Sequence, residues 1–172
     1  MFLNFLKNFF LKRKLKNNTV NVNSGFSNEK INTVGIIVDE SYFNEKENLI
    51  KELIKNDINQ NDIKLLVYKD RFKKNEVLHF PSFSMRNISW NGEIQQQEAV
   101  YFLAKPFDIL ISYYDVTKAP LLLATQQSKA VFKVGFSTVD KRLNHFMINT
   151  NAENYQVFSN ELFKYLRILN KI

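Results

Sequence analysis

Residues 31–68, INTVGIIVDESYFNEKENLIKELIKNDINQNDIKLLVY, hold the pattern that decides the fold. Residues 31–38 form a short β-branched apolar run of the kind buried on both faces of a parallel sheet. Over 43–56 the period changes, and Leu49, Ile50, Leu53 and Ile54 share one face of a helix. Residues 63–68, IKLLVY, return to a strand. The three together predict a strand–helix–strand unit with loops of ordinary length.

The alternation continues downstream. Residues 77–83 suit an edge strand, because Pro81 would interrupt the ladder of a central one. Trp90-Asn91-Gly92 reads as a turn, with Asn91 placed to cap a helix running to Ala104. Pro106 marks the break before another strand, FDILISY at 107–113. Residues 117–128 read as a helix with Pro120 in its first turn. VFKVGF at 131–136 is the next strand, and 146–149 a further short one. Tyr155, Phe158, Leu162, Tyr165, Leu166 and Leu169 trace one face of a closing helix over 153–169. Strands separated by helices predict an α/β fold: a three-layer α/β/α sandwich on a mainly parallel sheet of the Rossmann or flavodoxin type.

Upstream, Phe2, Phe5, Leu6, Phe9 and Phe10 recur at helical spacing, widened by Leu3, Leu11 and Leu15. Asn4, Lys7, Asn8, Lys12 and Lys14 occupy the other side, so residues 1–17 predict a basic amphipathic helix. Residues 18–29 are rich in Asn and Ser and read as a linker, which leaves 30–172 as a single α/β domain.

Composition narrows the function classes. The chain has 172 residues, 45% of them apolar and 24% charged, the values of one globular domain with a sizeable core. There is no cysteine, which removes disulfides, thiolate metal sites and thiol nucleophiles. The two histidines, His79 and His145, are far apart and outside any HxxxH spacing, which argues against a histidine-dominated metal site. No apolar run approaches the ~18 residues of a membrane span. The opening MFLNFLKNFFLKRKLK has its basic residues after the apolar stretch, the reverse of a signal peptide, so a cytoplasmic protein is expected. Of the net charge of +7, five positive charges (Lys7, Lys12, Arg13, Lys14 and Lys16) precede the first acid, Glu29, leaving about +2 for the rest.

Catalytic signatures are sparse. The four glycines fit neither GxGxxG nor GxxxxGK[ST], so no cofactor is expected from a phosphate cradle. GxSxG is absent as well, and both histidines read as structural. In an open α/β sheet, ligands bind at the carboxyl ends of the strands. The candidates there are Asp39, Tyr113, Asp115 and Ser137, in a pocket near the last three. Asp39, Asp70 and Asp115 could converge on a hard cation such as Mg²⁺, although polar residues crowd every strand end where loops meet water.

Several stretches are familiar together: INTVGIIVDE, the SW-NG-EI turn, FDILISYYD, SKAVFKVGFSTVDKRL and FKYLRILNKI. They resemble a family of short bacterial proteins of unknown function, over nearly the whole chain from residue 10 onward. The resemblance implies a cytoplasmic bacterial origin and carries no activity or functional residues. Within residues 107–136, FDILISYYD, an Ala/Leu-rich helix and the A-x-x-K-x-G-F strand are also similar to the acceptor-side half of lipopolysaccharide heptosyltransferases. That likeness implies shared fold ancestry rather than transferase activity.

Two functional expectations follow. The leading one is a non-catalytic binding or adaptor domain. Lys7, Lys12, Arg13, Lys14 and Lys16 would dock it on an anionic membrane surface, RNA or a protein partner, placing it in the cytoplasm or peripherally at the inner membrane. The competing one is a small enzyme or small-ligand domain with its site at the strand ends. The Phe-rich face also allows packing on its own domain or assembly of a homo-oligomer.

Overall fold

Valine and isoleucine dominate Val34–Asp39, and such a strand needs cover on both faces; all six residues of this one, β1, are buried. The computed structural model describes residues 30–172 together with Lys7, Leu11 and Leu15. After β1 come α1 (Lys46–Lys55), β2 (Ile63–Tyr68), β3 (Ser82–Phe83) and α2 (Gln97–Ala104). Then follow β4 (Ile109–Tyr113), α3 (Ala119–Gln127), β5 (Phe132–Phe136), β6 (Phe146–Ile148) and α4 (Tyr155–Ile168). The strands form one six-stranded sheet in the order β3-β2-β1-β4-β5-β6, every pair parallel.

Side chains alternate across this sheet as a pleated strand requires. The ring of Tyr113 lies 5.0 Å from Phe158 of α4, whereas Ser112 Oγ lies 3.0 Å from Thr125 Oγ1 of α3. Consecutive residues of β4 therefore meet helices on opposite faces. Helix α1 packs against α4, and α2 against α3. Gly35 lies inside β1 because a Cβ there would sit 2.7 Å from Cδ2 of the buried Phe107 ring.

Two elements differ from their sequence expectation. Helix α2 begins at Gln97, and Asn91 does not cap it. Instead Ser89 N donates to Glu93 O at 2.9 Å, and the buried Ile88 and Ile94 form an antiparallel bridge. Burial of those two isoleucines holds the segment as a turn, with Gly92 in the left-handed region at φ 81°. The edge strand β3 is confined to Ser82 and Phe83. Pro81 still contributes its carbonyl, accepting from Val67 N at 2.9 Å, while Val77, Leu78 and His79 are exposed.

The expected helix over 1–17 and linker over 18–29 lie outside the described residues, apart from three positions. Leu11 and Leu15 are buried in the core, and Lys7 Nζ donates to Met85 O at 3.1 Å. Among the described residues no helix is long and apolar enough to cross a membrane.

Candidate functional site

The strand order reverses beside β1: the chain runs outward from it through β2 to β3, then resumes on its other side with β4, β5 and β6. The carboxyl ends of β1 and β4 flank that reversal, the place where open α/β sheets take ligands. Asp39 ends β1 and is fully buried, and Asp70 lies just past β2. Lys118, immediately before α3, joins them, with Nζ 2.7 Å from Asp39 Oδ2 and 2.7 Å from Asp70 Oδ2.

Hydrogen bonds fix both carboxylates. Ser41 N donates to Asp39 Oδ1 at 3.0 Å, and Asp70 N donates to Ser41 Oγ at 3.0 Å. Tyr68 OH donates to Asp70 Oδ1 at 2.8 Å. The Lys118 ammonium also lies 5.7 Å from the centre of the Tyr42 ring and 5.4 Å from that of Tyr68. Burial alone would lower the Lys118 pKa, but its two carboxylate partners outweigh burial and hold it above the usual lysine value. Asp70 is held below the usual carboxylate value: burial opposes this, and the bonds from Lys118 and Tyr68 prevail.

Asp115 belongs to an adjoining cluster. Tyr42 OH donates to its Oδ1 at 2.6 Å and Ala152 N to its Oδ2 at 2.8 Å, while Thr138 Oγ1 donates to its main-chain carbonyl at 2.7 Å. Burial, then the bond to Asp115, raises the Tyr42 phenol well above the ordinary tyrosine value. Tyr113 is a core residue: its ring touches Phe43, Phe136 and Phe158, and its hydroxyl donates to Ala152 O at 2.8 Å. Ser137 turns away, donating from Oγ to Asn149 Oδ1 at 3.0 Å.

The four residues expected at the strand ends thus separate. Tyr113 and Asp115 share Ala152, Asp39 joins Asp70 through Lys118, and Ser137 stands apart. A cation held by Asp39, Asp70 and Asp115 together is not what the fold assembles: Lys118 bridges the first two, and Asp115 faces Tyr42 and Ala152. Among the described residues no group of three or more histidines and carboxylates is arranged to hold a metal. His79 is exposed, and His145 Nδ1 accepts from Lys133 N at 2.9 Å, a structural bond between β5 and the turn before β6.

Lys118, Tyr42 and Tyr68 were not legible as site residues. The one available signal was the place of Lys118 at the head of a helix that follows the central strand. Its pairing with carboxylates 79 and 48 positions away is set by sheet order alone.

A comparison with known families matches residues 4–169 to a family described as "Family of unknown function (DUF6913)". The chain belongs to that family. The match agrees with the resemblance to a family of unknown function over nearly the whole chain. No curated protein and no solved structure matches the chain, and neither comparison supports the likeness to heptosyltransferases.

Of the five basic residues expected to dock a partner, Lys7 is engaged with its own domain through Met85 O, and burial lowers its pKa. Lys12, Arg13, Lys14 and Lys16 lie outside the described residues. With Leu11 and Leu15 in the core, part of the expected apolar stripe is covered by the chain itself.

Proposed function

We propose that this protein is a non-catalytic binding domain that docks on an anionic surface through Lys12, Arg13, Lys14 and Lys16. The observation that carries this reading is the mutual satisfaction of the strand-end charges. Lys118 is held by Asp39 and Asp70, and Asp115 by Tyr42 and Ala152. The ligand position usual in an open α/β sheet is therefore filled by the protein's own side chains, while positive charge concentrates ahead of Glu29. A doubly wound, three-layer scaffold of the Rossmann type fits the strand order and serves here as a rigid support. Because Leu11 and Leu15 are already buried, attraction to surface charge rather than deep apolar insertion drives docking. The cytoplasmic face of the inner membrane supplies such a surface.

The test follows from the same burial. Deleting residues 1–17 would strip two core leucines, so charge reversal of Lys12, Arg13, Lys14 and Lys16 to Glu is the cleaner perturbation. Co-sedimentation with phosphatidylserine vesicles, run beside an RNA-binding assay, separates a lipid from a nucleic-acid surface. Binding that charge reversal abolishes is the expected result; equal binding by both forms would end the proposal.

A small-ligand site at the strand ends is the competing reading. It draws support from Asp70, whose side chain is 55% exposed and is the one partner of Lys118 that a phosphate could displace. Thermal stabilisation by inorganic phosphate that disappears in Lys118→Met would move the assignment to this reading.

A further inference from the structure

A groove of about 800 Å³ runs along β2 between α1 and α2, far from the basic segment in sequence. Its walls are apolar: Ile50 and Ile54 on α1, Leu65 on β2, Phe80 ahead of β3, and Tyr101 and Phe102 on α2. Strand β3 pairs with β2 only at Val67 and Tyr68, so among the described residues no strand lies beside 63–66 on that side. Val67 N donates to Pro81 O and Lys69 N to Phe83 O, so odd-numbered residues of this stretch direct their peptide groups toward β3. In the same alternation Leu65 directs its N–H and C=O into the groove.

The rim supplies a charge preference. Lys51, Lys64 and Lys105 line the groove without an ion pair among the described residues. Of the two acids there, Glu47 is paired with Lys46 at 3.1 Å, and Glu98 has no ion pair among the described residues. A second copy pairing edge to edge would bring two sets of these lysines together, which disfavours self-association. An incoming acidic strand would meet them favourably.

We propose that the open edge of β2 is a docking site for an extended segment of another protein. The segment is apolar at alternate positions, with Asp or Glu between them. It adds a strand beside 63–66, hydrogen-bonding to the peptide groups of Leu65, with its apolar side chains on the α1 face beside Leu65, Ile50 and Ile54 and its acidic ones on the opposite face toward Lys64 and Lys105.

Screening the full-length chain against an array of short random-sequence peptides tests this directly. The expected selection is aliphatic residues alternating with Asp or Glu. Tyr101→Glu, at a side chain 61% exposed, should weaken the best selected peptide on the order of tenfold or more. Lys64→Glu with Lys105→Glu, both exposed and compatible with folding, should turn the preference from acidic to basic peptides. No selection by the array, affinity indifferent to Tyr101→Glu, or a charge preference unmoved by the double reversal would each overturn the proposal.

Discussion

Lys118→Met keeps a long unbranched side chain and removes the charge that Asp39 and Asp70 share. Asp39 is fully buried, so the substitution strands a carboxylate in the interior. Breaking a buried pair in this way costs about 3–5 kcal/mol. The Lys118 side chain is itself 21% exposed, which places the expected loss at the lower end, about 3 kcal/mol. For a chain of this size that is a fall of roughly 6–12 °C in Tm. Asp70→Asn removes only the half-exposed partner and should cost under about 1 kcal/mol.

Asp39→Asn in the Lys118→Met background removes the stranded charge while the amide oxygen still accepts from Ser41 N, so it should restore most of the loss. The pH dependence follows from the same pair. The Lys118 pKa is raised in the folded state, so its contribution is complete below 10.5 and fades as the pH climbs beyond it. The Asp70 pKa is depressed, so its smaller contribution is complete above 3.8 and is lost toward acid. Urea unfolding of the two single variants and the double variant checks all of this. A loss below about 1 kcal/mol for Lys118→Met, or a double variant no more stable than it, would refute the view that these charges hold the fold.

Lys133 offers the opposite sign. It is buried with Nζ donating to Thr125 O at 2.7 Å, and burial lowers its pKa to about 8. Below that value the native state carries a costly buried ammonium, and stability rises between pH 8 and 10.5 as the proton leaves. Wild type should therefore gain roughly 3 kcal/mol over that range relative to Lys133→Met, read by denaturant unfolding at several pH values; parallel curves would contradict it. Gly35→Ala places a methyl 2.7 Å from the Phe107 ring and should cost about 1–3 kcal/mol, visible as a lower Tm; an unchanged Tm would show that the ring yields freely.

The central strands were legible because their signal is local. Residues 31–38, 63–68, 107–113 and 131–136 are apolar runs too short for helices; β2, β4 and β5 fall within them, and β1 runs one residue past its run, to Asp39. The start of α2 was misread because Asn91-Gly92 carries turn and cap chemistry alike. What decided between them was the pairing of Ile88 with Ile94, a tertiary event. Asp39 and Asp115 were identifiable as strand-end residues, but not which neighbours they meet. That depends on β1 lying between β2 and β4, an order no periodicity encodes. The groove along β2 was hidden for the same reason, since its walls come from helices on opposite faces of the sheet and, among the described residues, its open edge comes from the brevity of β3.

The most direct test of the binding assignment is the partition of the full-length chain onto phosphatidylserine vesicles over a range of salt, beside the variant carrying Glu at positions 12, 13, 14 and 16. Each basic residue near such a surface contributes on the order of 1 kcal/mol, and the four glutamates add repulsion, so the chain should bind at least about a thousandfold more tightly than the variant at low salt. The account predicts that this advantage shrinks steadily as salt rises while both chains unfold at the same temperature. Partition that is equal for the two chains, or indifferent to salt, would contradict it.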